Sequence, residues 1–174
     1  AHIPGLKVVL PSTPFDAKGL LIASVNDNNP VIFMEHRWLH ETFGKVPEKA
    51  YDVQIGKAKV ARKGTDITLV TYSYMTLEAL RRADLLSNYG VSIEVIDLRS
   101  LRPIDETTIL NSVKKTGRLL VADNGWSKFG VSSEVISIVT QKIFTYLKSQ
   151  PERVGIKDAP IPSTRSLANL IYPG

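Results

Sequence analysis

The stretch Val91–Asp105, VSIEVIDLRSLRPID, decides how the rest of the chain is read. Its first half is β-branched at Val91, Ile93, Val95 and Ile96, with little alternation of apolar and polar positions. Such a run predicts a central parallel strand, covered on both faces, over Val91–Leu98. Its second half predicts a turn that launches a helix. Pro103 fixes its own φ and disfavours helical geometry at Arg102, so no helix runs through this point. Asp105 is placed to cap the next helix, and Glu106 puts negative charge in its first turn. Asp97, Arg99 and Arg102 form a charged cluster where a parallel strand ends, the edge at which open α/β sheets gather ligands and partners. The same residues equally suit a loop tied by structural ion pairs.

Working outward, strands and helices alternate at the spacing of a mostly parallel, doubly wound sheet. Asp66–Tyr72 reads as a strand. Met75–Tyr89 reads as a helix with Leu77, Leu80, Leu85 and Leu86 inward, closed by Gly90 in a left-handed conformation. Glu106–Lys115 is a helix with Ile109, Leu110 and Val113 inward; Lys114 and Lys115 suit its negative end, and Gly117 stops it. Arg118–Ala122 is a strand. Val131–Leu147 is the longest helix, with Val131, Val135, Ile138, Val139, Ile143 and Leu147 at helical spacing. Glu152–Ile156 reads as a last strand. Pro160, Pro162 and Pro173 mark an extended tail with one helical turn at Leu167–Ile171.

Towards the other end, Leu6–Leu10 reads as a strand. Thr13 is an N-cap, Pro14 takes the first helical position and Asp16 the third. Ala17, Leu20, Leu21 and Val25 give this helix its apolar face, and it ends near Asn26. Asp27-Asn28-Asn29-Pro30 is a turn before a strand at Val31–Met34. Residues 1–35 thus make one strand-helix-strand unit, which cannot cover both its faces and is read as the end of an incomplete domain. Residues 36–53 read as a linker, with Tyr51–Val53 opening the next element. A second domain is expected over 54–174. It begins with an edge strand, Gln54–Arg62, whose Lys57, Lys59 and Arg62 guard it against edge pairing.

Composition narrows the function classes. The 174 residues are 43% hydrophobic and 22% charged, ordinary for a globular chain. Without cysteine, disulfides, thiolate metal sites and cysteine nucleophiles are excluded. No apolar run reaches the length of a membrane span, and neither a membrane partner nor a signal peptide is expected. The net charge of +5 is spread among acids with no basic block, so no nucleic-acid partner is expected either. The chain opens on Ala1-His2-Ile3-Pro4 and falls at once into a strand, which is read as a beginning in mid-fold.

Candidate sites are few. Ala122–Gly130, ADNGWSKFG, sets two glycines, a Trp and a Phe between a strand end and a helix start. It reads either as an anion cradle or, as favoured here, as an aromatic-rich turn that meets a neighbouring subunit. Gly125 and Gly130 lack the spacing of a dinucleotide fingerprint, and there is no P-loop lysine. His36 and His40 stand at i, i+4 without a strong helix or a third ligand, so a zinc site is disfavoured. No serine sits in a nucleophile elbow and no catalytic carboxylate pair stands out. The chain alone shows no complete active site.

Five collinear segments carry a family resemblance: Pro4–Leu21, Asp27–His36, Ile55–Ser73, Val95–Asp105 and Lys115–Val135. They resemble the second half of the β subunit of the thiamin-diphosphate-dependent 2-oxo acid dehydrogenases, the E1 components of pyruvate, branched-chain and acetoin type. The resemblance runs to about Pro162. It implies a three-layer, mostly parallel twisted sheet of about five strands with helices on both faces, as in the transketolase C-terminal domain. It implies thiamin diphosphate and Mg2+ in the full-length enzyme, an E1 α subunit, a second β subunit and a lipoyl E2 acyltransferase as partners. The location implied is the cytoplasm, or a mitochondrial or plastid matrix. The family's cofactor-activating glutamate and active-site histidine fall before Pro4 in this pattern, and His2 does not replace the latter. No catalytic or cofactor-binding residue is therefore expected in this stretch, whose role would be subunit assembly.

The resemblance also implies a structural potassium on backbone carbonyls around the D-x-N turn, here Ser24, Val25, Asp27 and Asn29, completed by ligands from upstream. Carbonyl oxygens at a helix C-terminus suit a hard cation; a plain Asp-Asn turn before Pro30 is the other reading. Lys148 stands where the family often carries an acid that helps dock E2, a charge reversal that can weaken docking. Two other functions fit parts of the pattern. One is a stand-alone, non-catalytic interaction domain; the other is the C-terminal part of a transketolase or 1-deoxyxylulose-phosphate synthase.

Overall fold

The structure is a computed structural model and describes residues 1–172; Pro173, expected in the extended tail, lies outside them. In chain order the strands are β1 Lys7–Val9, β2 Val31–Phe33, β3 Lys59–Arg62, β4 Ile67–Thr71, β5 Ile93–Asp97, β6 Ser100–Arg102, β7 Leu119–Trp126 and β8 Glu152–Ile156. The helices are α1 Pro14–Val25, α2 Tyr74–Ser87, α3 Glu106–Thr116, α4 Val131–Ile143 and α5 Arg165–Ile171.

Two sheets form. The larger has five strands in the order β3-β5-β4-β7-β8. Its β5, β4, β7 and β8 are mutually parallel, and the edge strand β3 runs antiparallel to β5. The mostly parallel, five-stranded expectation holds, although β5 is second from the edge and β4 is central. All five residues of β5 are buried, as its β-branched run requires. Residues along the strands alternate between two cores. Leu69, Ile93, Val95 and Ala122 face α2 through Ala79 and Ala83. Val70, Ile96, Leu119 and Val121 face α3 and α4 through Ile109, Val113, Val135 and Val139. Helices therefore cover both faces.

The smaller sheet, in the order β2-β1-β6, departs from the sequence reading. Ser100–Arg102, read as turn, is a strand that pairs antiparallel with β1, Val8 opposite Arg102 and Val9 opposite Ser100. Val8 and Leu10 join the same core as α3 and α4. The first 35 residues thus complete their sheet with a strand drawn from the second half of the chain.

Helix boundaries follow local chemistry. Thr13 accepts from the Asp16 amide at 3.1 Å and caps α1. Asp105 accepts from the Thr108 amide at 3.1 Å and caps α3. Gly117 ends α3 at φ 74°, where a side chain would be strained. α4 is shorter than expected, ending at Ile143 before a 3-10 turn at Phe144–Tyr146. β7 is longer, running to Trp126, so the first half of the expected turn is strand.

Two helix faces differ in part from the expectation. α2 buries Thr76, Ala79 and Ala83 and packs Leu80 against the core as expected, while Leu85 and Leu86 stay exposed. Both stripes have helical spacing, and the small residues win because they let the helix ride close on the sheet. α1 buries Asp16, Gly19 and Leu20, while Leu21 and Val25 are exposed. Its buried face is set by the linker: a Cβ on Gly19 would meet Val53 Cγ2 at 2.4 Å. Within residues 36–53 the structure has only a 3-10 turn, Arg37–Leu39. Tyr51 stacks on Phe15 at 4.5 Å and donates to the Phe15 carbonyl, and the Val53 amide donates to the Gly19 carbonyl at 3.1 Å.

Candidate functional site

The cluster at the end of β5 is a buried knot between the two sheets. The chain leaves β1 at Leu10, whose amide donates to the Arg99 carbonyl at 2.8 Å. This brings Ser12 against β5, where its hydroxyl donates to Asp97 Oδ2. The Arg99 amide donates to Asp97 Oδ1 at 3.1 Å. Arg99 itself has φ 57°, and its guanidinium turns to Asp16 Oδ1 at 2.5 Å. Asp16 also accepts from the Thr13 hydroxyl at 2.7 Å. Asp16 and Asp97 are 0% and 1% exposed, so two buried carboxylates meet at Arg99, Asp16 on its guanidinium and Asp97 on its backbone amide. Burial pushes the Asp97 carboxyl up to about 6, against the hydrogen bonds from Ser12 and the Arg99 amide. Arg102, the third charge of the cluster, lies apart and donates to the Ala1 carbonyl at 3.1 Å. The sequence located Asp97 and Arg99. It missed Ser12, and it gave Asp16 only a capping role, because their partners lie far along the chain, 85 residues away for Ser12.

A second buried carboxylate governs the ADNGWSKFG segment. β4 and β7 are neighbours whose chains leave to opposite faces, the crevice where open α/β sheets take ligands. Here it is bridged by protein groups. The Tyr72 hydroxyl donates to Asp123 Oδ1, which also accepts from the Gly125 amide at 2.8 Å. Asp123 Oδ2 accepts from the Ser132 amide at 2.9 Å in the first turn of α4. Burial and the adjacent carboxylate push the Tyr72 hydroxyl well above the usual phenol range. The anion cradle is thus taken by the chain's own carboxylate. A Cβ on Gly130 would stand 2.7 Å from both Asp123 Oδ2 and the Trp126 carbonyl.

A third carboxylate, Glu94 on β5, accepts from Lys115, from the Ser112 hydroxyl at 2.6 Å and from the Gly64 amide at 3.4 Å. Burial pushes it up, but those donors outweigh burial and hold it below its ordinary value. An acid inside an apolar strand was the available signal.

The D-x-N turn is ordered by its own side chains. Asp27 accepts from Lys7, from the Asn29 amide at 2.9 Å and from Asn29 Nδ2 at 3.0 Å. These hydrogen bonds, Lys7 first, hold its carboxyl at about 2. The Ser24 carbonyl accepts from the Asp27 amide at 3.4 Å. Ser24, Val25, Asp27 and Asn29 therefore share the C-terminal end of α1 and the turn after it, and they offer neutral carbonyl oxygens there.

His36 stacks on Tyr74 at 4.9 Å, and its Nδ1 accepts from the Trp38 amide at 3.3 Å. Burial pushes its imidazole below the ordinary value. His40 lies 3.8 Å from Glu35, and among the described residues no group of three His, Cys, Asp or Glu could hold a metal. This aromatic set closes one end of a groove of about 670 Å³ beside α2, lined by Leu69, Leu86, Leu120 and Val154 among others. Lys148 crosses the end of α3: its ammonium donates to the Thr116 carbonyl at 3.4 Å and its amide to the Gly117 carbonyl at 2.7 Å. Among the described residues no helix is long and apolar enough to cross a membrane.

A three-layered α/β fold with a borrowed strand and a carboxylate knot between its two sheets defines the class. Residues 56–173 match the transketolase C-terminal domain, and residues 1–41 match the transketolase pyrimidine-binding domain. The chain belongs to the transketolase C-terminal domain family. It is 44% identical over 172 residues to the acetoin:2,6-dichlorophenolindophenol oxidoreductase subunit beta of Cupriavidus necator, covering 99% of this chain and 51% of that protein. It is 46% identical over 165 residues to the pyruvate dehydrogenase E1 component subunit beta of Acholeplasma laidlawii, covering 94% of this chain and 50% of that protein. The Bacillus subtilis protein of the same name is 42% identical, covering 95% and 51%. The chain thus spans about half the length of these relatives. A solved structure described as a split gene transketolase, inactive beta4 tetramer, superimposes with a TM-score of 0.77 at 24% identity. It covers 96% of this chain and 53% of that one, and carries the fold.

Proposed function

We propose that this stretch is the assembly half of an E1 β-type subunit of a 2-oxo acid dehydrogenase. The full protein would decarboxylate a 2-oxo acid on thiamin diphosphate and pass the acyl group to lipoyl-E2. The observation that carries this reading is the similarity at 42–46% identity to β subunits along nearly the whole chain. Residues 1–35 would close a pyrimidine-binding domain, 36–53 link, and 54–174 form the C-terminal domain. In this reading Mg2+ and the diphosphate are held by the rest of the enzyme, and the partners are an E1 α subunit and a second β subunit. A cytoplasmic or matrix location goes with it. The full-length protein, purified with its α-type partner, is expected to bind thiamin diphosphate and to release CO2 from a 2-oxo acid only in its presence. Full-length protein that binds no thiamin diphosphate would favour the stand-alone interaction domain instead.

The potassium site belongs to the same proposal. Lys7 neutralises the Asp27 carboxylate, so the ligands would be the carbonyls of Ser24, Val25, Asp27 and Asn29 with others from outside this stretch. Replacing K+ by tetramethylammonium at constant ionic strength is expected to lower the melting temperature of the full-length protein. An unchanged melting temperature would leave the plain turn. For E2, Lys148 is engaged with α3, so docking in the family's acidic manner would be weakened at this point. Lys148→Glu is expected to tighten binding of an E2 peripheral domain about tenfold, the scale of one charge pair. Ordinary salt-dependent affinity in the unaltered protein would defeat that idea.

A further inference from the structure

The chain passes from the larger sheet to the smaller in two residues, Leu98 and Arg99, between the end of β5 at Asp97 and the start of β6 at Ser100. The buried knot lies at this crossing, and its charges do not balance. The guanidinium of Arg99 is turned to Asp16. Asp97 has only neutral donors, the Ser12 hydroxyl and the Arg99 amide. Its other neighbours bring it no cation. On β4, Thr71 stands beside Asp97 in the register, and its buried hydroxyl has no hydrogen-bond partner among the described residues. On the edge strand β3, Lys59 is opposite Asp97 but exposed. The Tyr51 phenol of the linker lies near enough to Asp16 to feel its charge. Glu35, His36 and His40 line the small pocket that Ser12 also lines. A buried carboxylate on neutral donors is costly to ionise, and a second carboxylate nearby adds repulsion. With both acids ionised, the knot holds two negative charges against one positive. A proton on Asp97 restores the balance without breaking either bond: one oxygen still accepts from the Arg99 amide, and the other donates to the Ser12 hydroxyl.

We propose that this knot is a proton-operated latch between the two sheets, closed when Asp97 holds a proton and loosened when it gives that proton up. What loosens is the seam. It consists of the Leu10 amide that donates to the Arg99 carbonyl at 2.8 Å and the β1–β6 pairing of Val8 with Arg102 and Val9 with Ser100. The middle of the larger sheet, at Val70 and Val95, stays closed, so the sheets part while each remains folded. The sign follows from the two states of the carboxyl. Closed, burial holds it at about 6; opened to water, it returns to its ordinary 3.8. The closed form therefore binds the proton more tightly, and the latch weakens as pH rises from about 4 to about 6 and stays weak above. The latch stands on the knot's own geometry and does not depend on the E1 β reading.

The test is hydrogen–deuterium exchange on the full-length protein assembled with its own partner subunits, corrected at each pH for the intrinsic exchange rate. Protection of the Leu10 amide and of the Ser100–Arg102 amides is expected to fall about tenfold between about pH 5 and pH 7 and then to level off. Val70 and Val95 are expected to keep theirs. Asp97→Asn stays neutral at every pH and still accepts from the Arg99 amide, so its profile at the seam is expected to be flat. Asp16→Asn removes the second carboxylate and leaves the guanidinium to Asp97, and it is expected to shrink the fall. A flat seam in the unaltered protein, or an equal fall at Val70 and Val95, would overturn the proposal. So would a full fall kept in Asp97→Asn, or an undiminished one in Asp16→Asn. The unaltered protein can overturn the proposal by itself, so a variant that fails to fold does not shelter it. Thiamin diphosphate binding by the same preparations reads the enzyme proposal separately, so either can fail alone.

Discussion

Asp97 shows what a single buried carboxyl does to stability. Its pKa is raised from 3.8 to about 6, so the folded chain binds a proton that the unfolded chain releases between those values. The stability this contributes is full below about pH 4 and lost as pH rises through 6. His36 runs the opposite way, since its lowered pKa makes acidification costly, and comparing variants cancels it. Asp97→Asn keeps an acceptor for the Arg99 amide and removes the titration. Relative to the unaltered protein, it is expected to gain stability between pH 4 and 7, by roughly 3 kcal/mol at most. Urea denaturation at three pH values checks this; a difference that is flat with pH would contradict it. Arg99→Met leaves Asp16 buried without its cation and is expected to cost about 3–5 kcal/mol. The same denaturation series reads that loss.

At the scale of elements, close approach decides more than propensity. Gly130 is held against Asp123 and Trp126, so Gly130→Ala must push the first turn of α4 away from its capping carboxylate. A cost of about 1–3 kcal/mol is expected from overpacking, together with a lower melting temperature. Tyr72→Phe removes one donor to Asp123 and is expected to cost about 1–2 kcal/mol. A double mutant with Asp123→Asn is expected to cost less than the two single changes summed, because both touch one network. The caps at Thr13 and Asp105 and the stop at Gly117 were legible because each is a local interaction over three or four residues. The phase of α2 was not, because two stripes with the same period competed and only the distance to the sheet chose between them.

For the whole molecule, the borrowed strand β6 makes the first 35 residues and the larger sheet share a core. Amides of Val70, Val95 and Ile96 in the middle of the large sheet are expected to exchange most slowly with solvent deuterium, and those of the edge strand β2 faster. The sequence by itself determined the alternation of strands and helices, the parallel sheet, the burial of β5 and the family, because periodicity, caps and collinear motifs are written locally. Only the tertiary structure decided that Ser100–Arg102 is a strand, that Asp16 and Ser12 meet Arg99 and Asp97, and that Asp123 fills its own cradle. Each of these depends on partners dozens of residues apart, and a pattern of neighbours along the chain carries no information about which distant group will lie within a hydrogen bond's reach.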